Sequence, residues 1–435
     1  MPERFLQRLK INTLRPLQEE ALKVIKKGSD IILLSPTGSG KTIAFLLPLV
    51  KLMKEDIKGI QALIITPSRE LALQVERVFR DMQTGFKVST CYGGHPIATE
   101  LNNLRTPPAL LIGTPGRIAD HLRRKSIDPV TIRTLILDEF DKSLELGFRD
   151  EMEFIINSTI ALETRILTSA TALTEIPDFT GIVKPIVLDF RESGKTGSIL
   201  NVKAIKAEGT DKLELLFKVL CHLGDESSII FCNHREAVER ISDLLGQKGI
   251  PHGLYHGGME QDKRELSLIK FRNGSHTVML TTDLASRGLD IPEIRHIIHY
   301  QLPSTASAWT HRNGRTARME KHGTAWLILA DKDFVPAFIS ESIEFIELPG
   351  ELSLPPLTRW QTIYLSVGKK EKISRGDVAG FLMQKGKLSP DDVGRIDILD
   401  HASLAAVNRS KTRELIKLVT GERIKNKVVK TEIAR

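Results

Sequence analysis

The chain has 435 residues, 41% hydrophobic and 27% charged, which is the composition of a folded globular protein with about three domains. No apolar run approaches the roughly 20 residues of a membrane span, and charges at positions 3 and 4 leave no apolar signal core. The three scattered cysteines, Cys91, Cys221 and Cys232, have no metal or disulfide spacing. We therefore predict a cytoplasmic protein that does not contact membranes.

The net charge of +8 is unevenly distributed. The segment 360–435 has 16 Lys/Arg and 9 Asp/Glu and so carries +7 of it. A basic end of this kind favours a polyanionic partner. The alternative is a lysine-rich surface that only aids solubility.

Residues 1–30 predict helices, and the next stretch predicts a strand, a glycine-containing loop and another helix. Ile31–Leu34 is the apolar strand, and the loop Ser35–Thr42 reads SPTGSGKT. A strand, a GKT loop and a helix in this order are typical of a phosphate-binding P-loop. Loop N–H groups and the helix dipole attract phosphate. Lys41 is predicted to reach the terminal phosphates, and Thr42 to bind magnesium through its hydroxyl. The alternative is a Gly/Ser-rich turn that binds nothing.

Short apolar strands then alternate with helical stretches as far as residue 190, which predicts a parallel sheet with helices on both faces. The predicted strands are Ala62–Thr66, Leu110–Gly113, Leu135–Leu137 and Arg165–Thr168. A polar motif ends each strand, and ligands of such sheets bind at the carboxyl ends of strands. The motifs therefore predict a single site.

Asp138 and Glu139 follow the apolar strand Leu135–Leu137. An aspartate at a strand end, in the same sheet as a P-loop, holds magnesium in P-loop NTPases. We expect Glu139 to polarise a water for in-line attack on the γ-phosphate. Alone, the sequence Asp-Glu-Phe-Asp would be equally consistent with an acidic turn.

The polar, glycine-containing segment 191–198 predicts a linker, and a second strand–helix series follows it. Its predicted strands are Ile229–Cys232, Val278–Thr281, Ile297–Tyr300 and Ala325–Leu329. This second parallel α/β domain has no P-loop. Its segment His311–Arg318 contains three arginines, of which Arg315 and Arg318 are candidate arginine fingers for the transferred phosphate. The alternative is an arginine-rich helix that binds nucleic-acid backbone or a surface carboxylate.

The basic end, 360–435, predicts the order strand, helix, strand, strand, helix, strand, which is the order of the RRM fold. The apolar pieces are Thr362–Val367, Val378–Met383, Ile396–Leu399, Leu404–Val407, Leu415–Val419 and Val428–Ile433.

The full set of motifs resembles the DEAD-box ATP-dependent RNA helicases over about residues 1–345. The matching residues are, in chain order, Gln18, Ser35–Thr42, Pro67–Ala72, Gly93-Gly94, Thr114–Arg117, Asp138–Asp141, Ser169–Thr171, Gln261–Arg264, Thr282-Asp283, Arg287–Asp290 and His311–Arg318. In the basic end, Gly376–Val378 and Asp392–Ile398 resemble the RNA-binding domain of the DbpA-type helicases.

The resemblance implies two RecA-like domains in tandem, 1–190 and 199–348, followed by an RRM-like α+β domain, 360–435. It implies ATP and Mg²⁺ as ligands, with Asp138 and Thr42 on the metal. The implied ATP contacts are Gln18 on the adenine edge, Asp290 on the ribose, and the loop residues Thr37, Gly38, Ser39, Gly40 and Lys41.

The resemblance also implies an RNA-binding surface. The implied backbone contacts are Arg69, Gly94, Thr114, Arg117 and Arg264, and Ser169 and Thr171, with Asp141, are implied to couple hydrolysis to RNA. In the basic end, Lys411, Arg413, Lys425 and Lys427 are candidates to hold RNA by charge and shape.

Several positions depart from the family pattern. Ile11 replaces an aromatic that stacks on adenine. Phe140 replaces the alanine of the family name and is expected to add bulk beside the magnesium site. Leu404 stands where relatives often have an aromatic residue that stacks on RNA.

The sequence therefore predicts an RNA-stimulated ATPase that locally remodels short RNA duplexes, with structured ribosomal RNA and pre-ribosomal particles as partners. We expect it to act as a monomer. One alternative is an ATP-gated RNA clamp or RNA chaperone that releases no strand. Another is a DNA helicase, which the variant segment Leu14–Gln18 favours slightly.

Overall fold

A computed structural model describes residues 2–36, 38–94, 96–171, 175–191, 200–207, 209, 211–283, 294–314, 316, 323–350 and 352–434. The chain forms two compact units that divide near residue 198.

The first unit is built on a parallel sheet of seven strands in the order β3-β4-β2-β5-β6-β1-β7. Every pairing in this sheet is parallel. The strands are β1 (Asp30–Leu34), β2 (Ala62–Ile65), β3 (Val88–Cys91), β4 (Leu110–Gly113), β5 (Thr134–Leu137), β6 (Thr164–Ser169) and β7 (Ile186–Asp189).

Helices connect these strands, as parallel pairing requires. They are α1 (Pro2–Arg8), α2 (Pro16–Val24), α3 (Lys41–Leu52), α4 (Arg69–Asp81), α5 (Ile97–Leu104), α6 (Pro115–Arg123), α7 (Phe140–Glu145) and α8 (Arg149–Ser158). Local sequence explains several starts. Pro16 and Pro115 occupy the first turns of α2 and α6, where a missing N–H costs nothing. Ser68 Oγ accepts the Leu71 N–H at the start of α4.

Both faces of this sheet are covered by hydrophobic cores. Along β1, Ile31 and Leu33 join one core, and Ile32 and Leu34 join the other. This alternation explains why the central strands are continuously apolar. All strands point the same way, so the polar residues that follow β1, β2, β4, β5 and β6 meet at one edge of the sheet.

The second unit contains another parallel sheet, with the order β10-β11-β9-β12-β13-β8-β14. The strands are β8 (Leu200–Lys206), β9 (Ser228–Cys232), β10 (His252–Tyr255), β11 (Val278–Thr282), β12 (His296–His299), β13 (Gly323–Leu329) and β14 (Ile343–Phe345). Its described helices are α9 (Leu213–Leu223), α10 (Arg235–Gln247), α11 (Gln261–Arg272) and α12 (Ala306–Asn313). The strand order repeats that of the first sheet position by position. Two parallel-sheet domains of one architecture were predicted, and this fold class is confirmed.

The basic end of the chain, also in the second unit, forms a four-stranded antiparallel sheet in the order β16-β17-β15-β20. Its strands are β15 (Trp360–Leu365), β16 (Val393–Ile398), β17 (Ser403–Asn408) and β20 (Thr431–Ile433). The helices α13 (Arg375–Gln384) and α14 (Thr412–Val419) accompany the sheet, and β18 (Arg423–Ile424) pairs with β19 (Lys427–Val428). The predicted order is confirmed. The last predicted strand, Val428–Ile433, is divided between β19 and β20.

The outer face of this small sheet packs against the end of α11 and the turn after it. Asn273 Nδ2 donates to Thr362 Oγ1 over 2.9 Å, and Ser275 Oγ lies 2.8 Å from the same hydroxyl. Leu404 packs against Ile269 and is only 2% exposed. The basic module is therefore docked on the second parallel-sheet domain through its sheet, and this contact occupies Leu404.

Candidate functional site

The loop after β1 has the backbone geometry of a phosphate cradle. Gly38 and Gly40 have φ values of 83° and 94°, a region that favours glycine. A Cβ on Gly40 would lie 2.4 Å from Gln18 Nε2, so a larger residue would push Gln18 away. Ser39 Oγ is buried and has no hydrogen-bond partner among the described residues. An unused hydroxyl in a glycine turn fits a phosphate oxygen. The predicted site residue Thr37 lies outside the described residues.

Lys41 begins α3, and its ammonium group is buried beside the loop. Its Nζ donates to the backbone carbonyls of Ser35 and Pro36. Burial lowers the pKa of Lys41, while the carboxylates of Glu139 and Asp138 act in the opposite direction. The Lys41 ammonium group is thus held by neutral carbonyl oxygens. A negatively charged phosphate would replace them as its partner. Thr42 follows it in the first turn of α3 and is half-buried.

The loop is braced from α2. Gln18 is 3% exposed, its Oε1 accepts the Arg15 N–H over 3.0 Å, and its Nε2 donates to the Gly40 carbonyl over 3.3 Å. Arg15 Nη1 donates to the Gly38 carbonyl over 2.9 Å. Sequence reasoning selected Gln18 but missed Arg15, whose position in the chain gave no signal.

Asp138 and Glu139 lie at the end of β5, as predicted. The Thr168 hydroxyl donates to Asp138 Oδ1 over 2.5 Å, and the Glu139 N–H lies 3.1 Å from both Asp138 Oδ1 and Thr168 Oγ1. Burial raises the pKa of Asp138, while the Thr168 hydrogen bond and the Lys41 charge oppose the rise. A buried carboxylate whose charge is incompletely compensated fits a divalent cation. Glu139 has a φ of 47°, which is rare for a residue with a side chain.

The side chain of Phe140 points into the hydrophobic core. Its ring is 0% exposed and belongs to the core on one face of the sheet, with its centroid 6.3 Å from that of Phe179. The expectation that Phe140 adds bulk beside the magnesium site is therefore wrong. The ring instead occupies space in this core, where it packs against Phe179.

The end of β6 is joined to α7 by a hydroxyl network. Ser169 Oγ donates to the Thr171 carbonyl over 2.7 Å, and Thr171 Oγ1 donates to Asp141 Oδ2 over 2.8 Å. Ser169, Thr171 and Asp141 are thus brought together, and Asp141 is two residues after Glu139 in the chain. A shift of the segment after β6 would therefore displace Asp141 through its bond to Thr171.

Farther along the same edge of the sheet, Arg69, Gly94, Thr114 and Arg117 follow β2, β3 and β4. The Arg69 guanidinium stacks on the Tyr92 ring with its Cζ 4.6 Å from the ring centroid. Gly94 has a φ of 94° beside it, and Thr114 is the residue before α6. These groups form a second polar region of the first unit.

In the second unit, Arg312 is buried and braced by several acceptors. It pairs with both oxygens of Asp283 at 2.6 and 2.7 Å and donates to Asn233 Oδ1 and the Gln301 carbonyl. Arg264 lies in the first turns of α11 and donates to Gln261. The predicted residues Asp290, Arg315 and Arg318 lie outside the described residues. Through its own contacts, Arg312 ties α12 to residues that follow β9, β11 and β12, a role that sequence reasoning did not assign.

Comparison with known proteins identifies this arrangement. Residues 15–179 match the DEAD/DEAH box helicase family, 211–320 the helicase conserved C-terminal domain, and 362–433 the DbpA RNA binding domain. The ATP-dependent RNA helicase DbpA of Escherichia coli K12 is 30% identical over 434 residues, and the match covers 97% of this chain and 95% of that protein. This chain belongs to the DbpA-like DEAD-box RNA helicases. It is therefore an RNA-stimulated ATPase and helicase.

Other relatives of this DEAD-box helicase agree. DbpA of Bacillus subtilis is 29% identical over 450 residues, covering 96% of this chain and 94% of that protein. Among solved structures, Saccharomyces cerevisiae Dbp5 bound to RNA and ADP BeF3 has a TM-score of 0.68 at 23% identity, covering 79% of this chain and 92% of that one. This structural likeness supports the fold. Among the described helices of the helicase, none is long and apolar enough to cross a membrane.

The C-terminal module of the helicase matches the DbpA domain, which describes it better than the general term RRM-like. Of its predicted RNA-binding residues, Lys411 pairs with Asp392 at 2.6 Å and Lys425 with Asp377 at 2.7 Å. The Lys425 hydrogen bond holds the pKa of Asp377 at about 2. Arg413 and Lys427 are exposed and make no ion pair with the described residues.

Proposed function

We propose that this helicase uses ATP to separate or remodel short duplexes in structured ribosomal RNA during assembly of the large subunit, in the cytoplasm and as a monomer. One observation carries the proposal: a DbpA-type module is docked on a helicase domain through its sheet, and its basic residues Arg413 and Lys427 stay exposed. The docked module would deliver a chosen RNA to a domain whose own contacts are blind to base sequence. Pre-ribosomal particles would supply that RNA.

The residues of the first unit have distinct roles in the proposed reaction. Lys41 and the glycine loop bind the terminal phosphates of ATP, with Gln18 on the base. Asp138 and Thr42 would hold Mg²⁺, which neutralises developing phosphate charge when bound. Glu139 accepts a proton from the attacking water. Ser169, Thr171 and Asp141 transmit RNA binding to this end of the sheet, and Arg315 and Arg318 remain the proposed arginine fingers.

We propose the domain limits 1–190, 199–348 and 360–435 for this division of labour. Backbone binding by Arg69, Gly94, Thr114, Arg117 and Arg264 supports local strand separation. Turn N–H groups and arginines that grip phosphates in one geometry favour a bent single strand over a duplex.

Strand displacement tests the proposal against its alternatives. With a short labelled RNA duplex that carries a single-stranded extension, we expect ATP to release the strand and RNA to raise ATP turnover. Retention of RNA with ATP but no release would indicate a clamp. Faster turnover and release on the matched DNA duplex would indicate a DNA helicase. Crosslinking and sequencing in cells should recover chiefly ribosomal RNA, and a spread over messenger RNAs would contradict the ribosomal role.

The contribution of the C-terminal module is best tested with charge variants. Truncation at residue 360 would expose Ile269 and Asn273, which the module covers. We expect Arg413→Gln with Lys427→Gln to weaken RNA binding and to lower the slope of log K against log salt by about 1.4, roughly 0.7 for each lost phosphate contact. Filter binding at several salt concentrations measures this slope.

The matched control is Lys369→Gln with Lys417→Gln, which removes the same charge from exposed positions of the same module that are outside the proposed RNA contacts. An equal loss in the control would assign the effect to overall charge. An unchanged slope in the test variant would favour a module that serves solubility.

A further inference from the structure

Glu100, on α5, is a carboxylate buried in the first unit. It is 1% exposed. Its Oε1 accepts the Tyr92 backbone N–H over 2.9 Å. Its Oε2 accepts from Arg117 Nη1 over 2.8 Å and lies 2.7 Å from His121 Nε2. Both carboxylate oxygens therefore hold groups from other segments of the chain.

Glu100 is charged at neutral pH. Burial raises the pKa of Glu100, but the hydrogen bonds from His121 and Tyr92 and the charge of Arg117 outweigh burial, and the pKa lies below its usual value. His121 is itself fixed, because its Nδ1 lies 2.7 Å from Ser126 Oγ. A buried anion that binds at least Tyr92, Arg117 and His121 resists displacement, so the groups bound to it are held in place.

These groups connect to the polar region made by Arg69, Gly94 and Arg117. The Arg117 guanidinium is bound to Glu100 directly and keeps 16% of its side-chain surface exposed. Tyr92 carries the ring on which Arg69 stacks, with a Cζ-to-centroid distance of 4.6 Å. A Cβ on Gly94 would lie 3.6 Å from Arg69 Nη1, so the turn and the arginine are close neighbours. One carboxylate thus fixes segments that follow β3 and β4 and, through Tyr92, one that follows β2.

A metal centre is the competing explanation for this cluster. Ligand atoms of Cys91, Glu100 and His121 all lie within 4.8 Å of one another. However, both Glu100 oxygens already accept N–H groups, and Arg117 supplies the positive charge that a metal ion would bring. Burial raises the pKa of the Cys91 thiol, which disfavours the thiolate that a metal requires. The cluster fits a hydrogen-bonded support better than a metal site.

We propose that Glu100 is a positioning residue for RNA binding, which holds Arg117, the Gly93-Gly94 turn and Arg69 in the arrangement that grips an RNA backbone. The proposal rests on the proposed function, because it assumes that Arg117 contacts RNA. It assigns a role to a residue outside the family motifs found in the sequence.

The test variant is Glu100→Gln, which keeps the size of the side chain and removes the charge. The amide brings its own N–H₂ toward donors, so at least one of the groups bound to Glu100 loses its acceptor. We expect the RNA concentration for half-maximal ATP turnover to rise about tenfold, as for loss of one charge-assisted hydrogen bond. Turnover at saturating RNA and turnover without RNA should stay within about twofold of the parent. The slope of log K against log salt should fall by about 0.7, which general destabilisation would not cause.

A double-variant cycle separates the inference from its basis. Arg117→Ala alone should weaken RNA binding, and adding Glu100→Gln should then cost less than it costs in the parent, because one of the groups that Glu100 positions is already missing. If Arg117→Ala has no effect on RNA binding, the proposed RNA surface is wrong. If it has an effect but Glu100→Gln has none, Glu100 is not a positioning residue. Fully additive losses would contradict the positioning of Arg117 by Glu100.

Two further variants complete the design. Glu76→Gln is the matched control, because Glu76 pairs with Arg80 at 2.7 Å in the same unit but contacts none of the proposed RNA residues. RNA binding should be unchanged in it. Tyr92→Leu removes the ring under Arg69 and keeps the backbone N–H, so it tests the second connection even if Glu100→Gln folds poorly. Tyr92→Leu should raise the half-maximal RNA concentration several-fold, and an unchanged value would contradict that connection.

Discussion

Glu139→Gln is expected to reduce RNA-stimulated ATP turnover by about 10²–10⁴-fold, the usual contribution of a general base. Glutamine keeps the shape of the side chain but has no basic oxygen to take the proton of the attacking water. Lys41, the glycine loop and Asp138 are unchanged, so binding of ATP should be nearly unaffected. Loss of turnover with retained binding is the signature of a group that acts in the transition state.

The backbone at Glu139 supports a functional role. Its φ of 47° and ψ of 52° are left-handed, an arrangement that costs about 1–3 kcal/mol for a residue with a side chain. Its N–H lies 3.1 Å from Thr168 Oγ1 and from Asp138 Oδ1, which holds the strained residue between the end of β5 and the start of α7. Strain that surrounding hydrogen bonds maintain is common where a side chain must be aimed at a ligand.

Steady-state turnover with saturating RNA, together with equilibrium binding of a fluorescent ATP analogue, measures both effects. The matched control is Glu163→Gln, since among the described residues the Glu163 carboxylate forms a surface pair with Lys27 at 3.3 Å. The control should keep full turnover. If Glu139→Gln retained more than about a tenth of the parent turnover, a different group would have to activate the water.

The motifs of the ATP site could be predicted because each is a short run at a strand end. Ser35–Thr42 and Asp138-Glu139 carry their chemistry in adjacent residues, and the parallel sheet brings strand ends together. The partners that hold these residues could not be predicted. Thr168 bonds to Asp138 across 30 positions of the chain, and Arg15 bonds to Gly38 across 23. Buried contacts at such separations leave no local pattern.

Strand prediction succeeded in the middle of each sheet and failed toward the edges. The central strands are buried on both faces and read as apolar runs. The edge strand β3 has the sequence VSTC, and the edge strand β7 has only Leu188 buried. Neither has the pattern of a buried strand. In the last domain, Leu404 was expected at an RNA-stacking position, but it packs against Ile269 of the preceding domain. That contact depends on how the last domain docks on the preceding one, and the spacing of apolar residues in the sequence does not indicate this.

Phe140→Ala is expected to destabilise the first unit by about 3–5 kcal/mol, although alanine is the residue of the family name. The ring is fully buried in the core and packs against Phe179, so its removal leaves a cavity that the sheet and α8 cannot fill. For a domain of this size, the midpoint of thermal unfolding should fall by on the order of 10 °C. Phe140→Leu, which keeps most of the volume, should lose considerably less.

The three tryptophans, Trp309, Trp326 and Trp360, allow the two units to be followed separately, because all of them lie in the second. The fluorescence transition should therefore stay in place in Phe140→Ala, while amide hydrogen exchange in β5 and β6 becomes faster. Phe334→Ala, at a ring that is 87% exposed, is the matched control and should change neither signal. Since Phe140 points into the core, the ATP concentration for half-maximal turnover, measured well below the unfolding temperature, should stay within about threefold of the parent. A large change in that concentration with no loss of stability would place the ring beside the nucleotide after all.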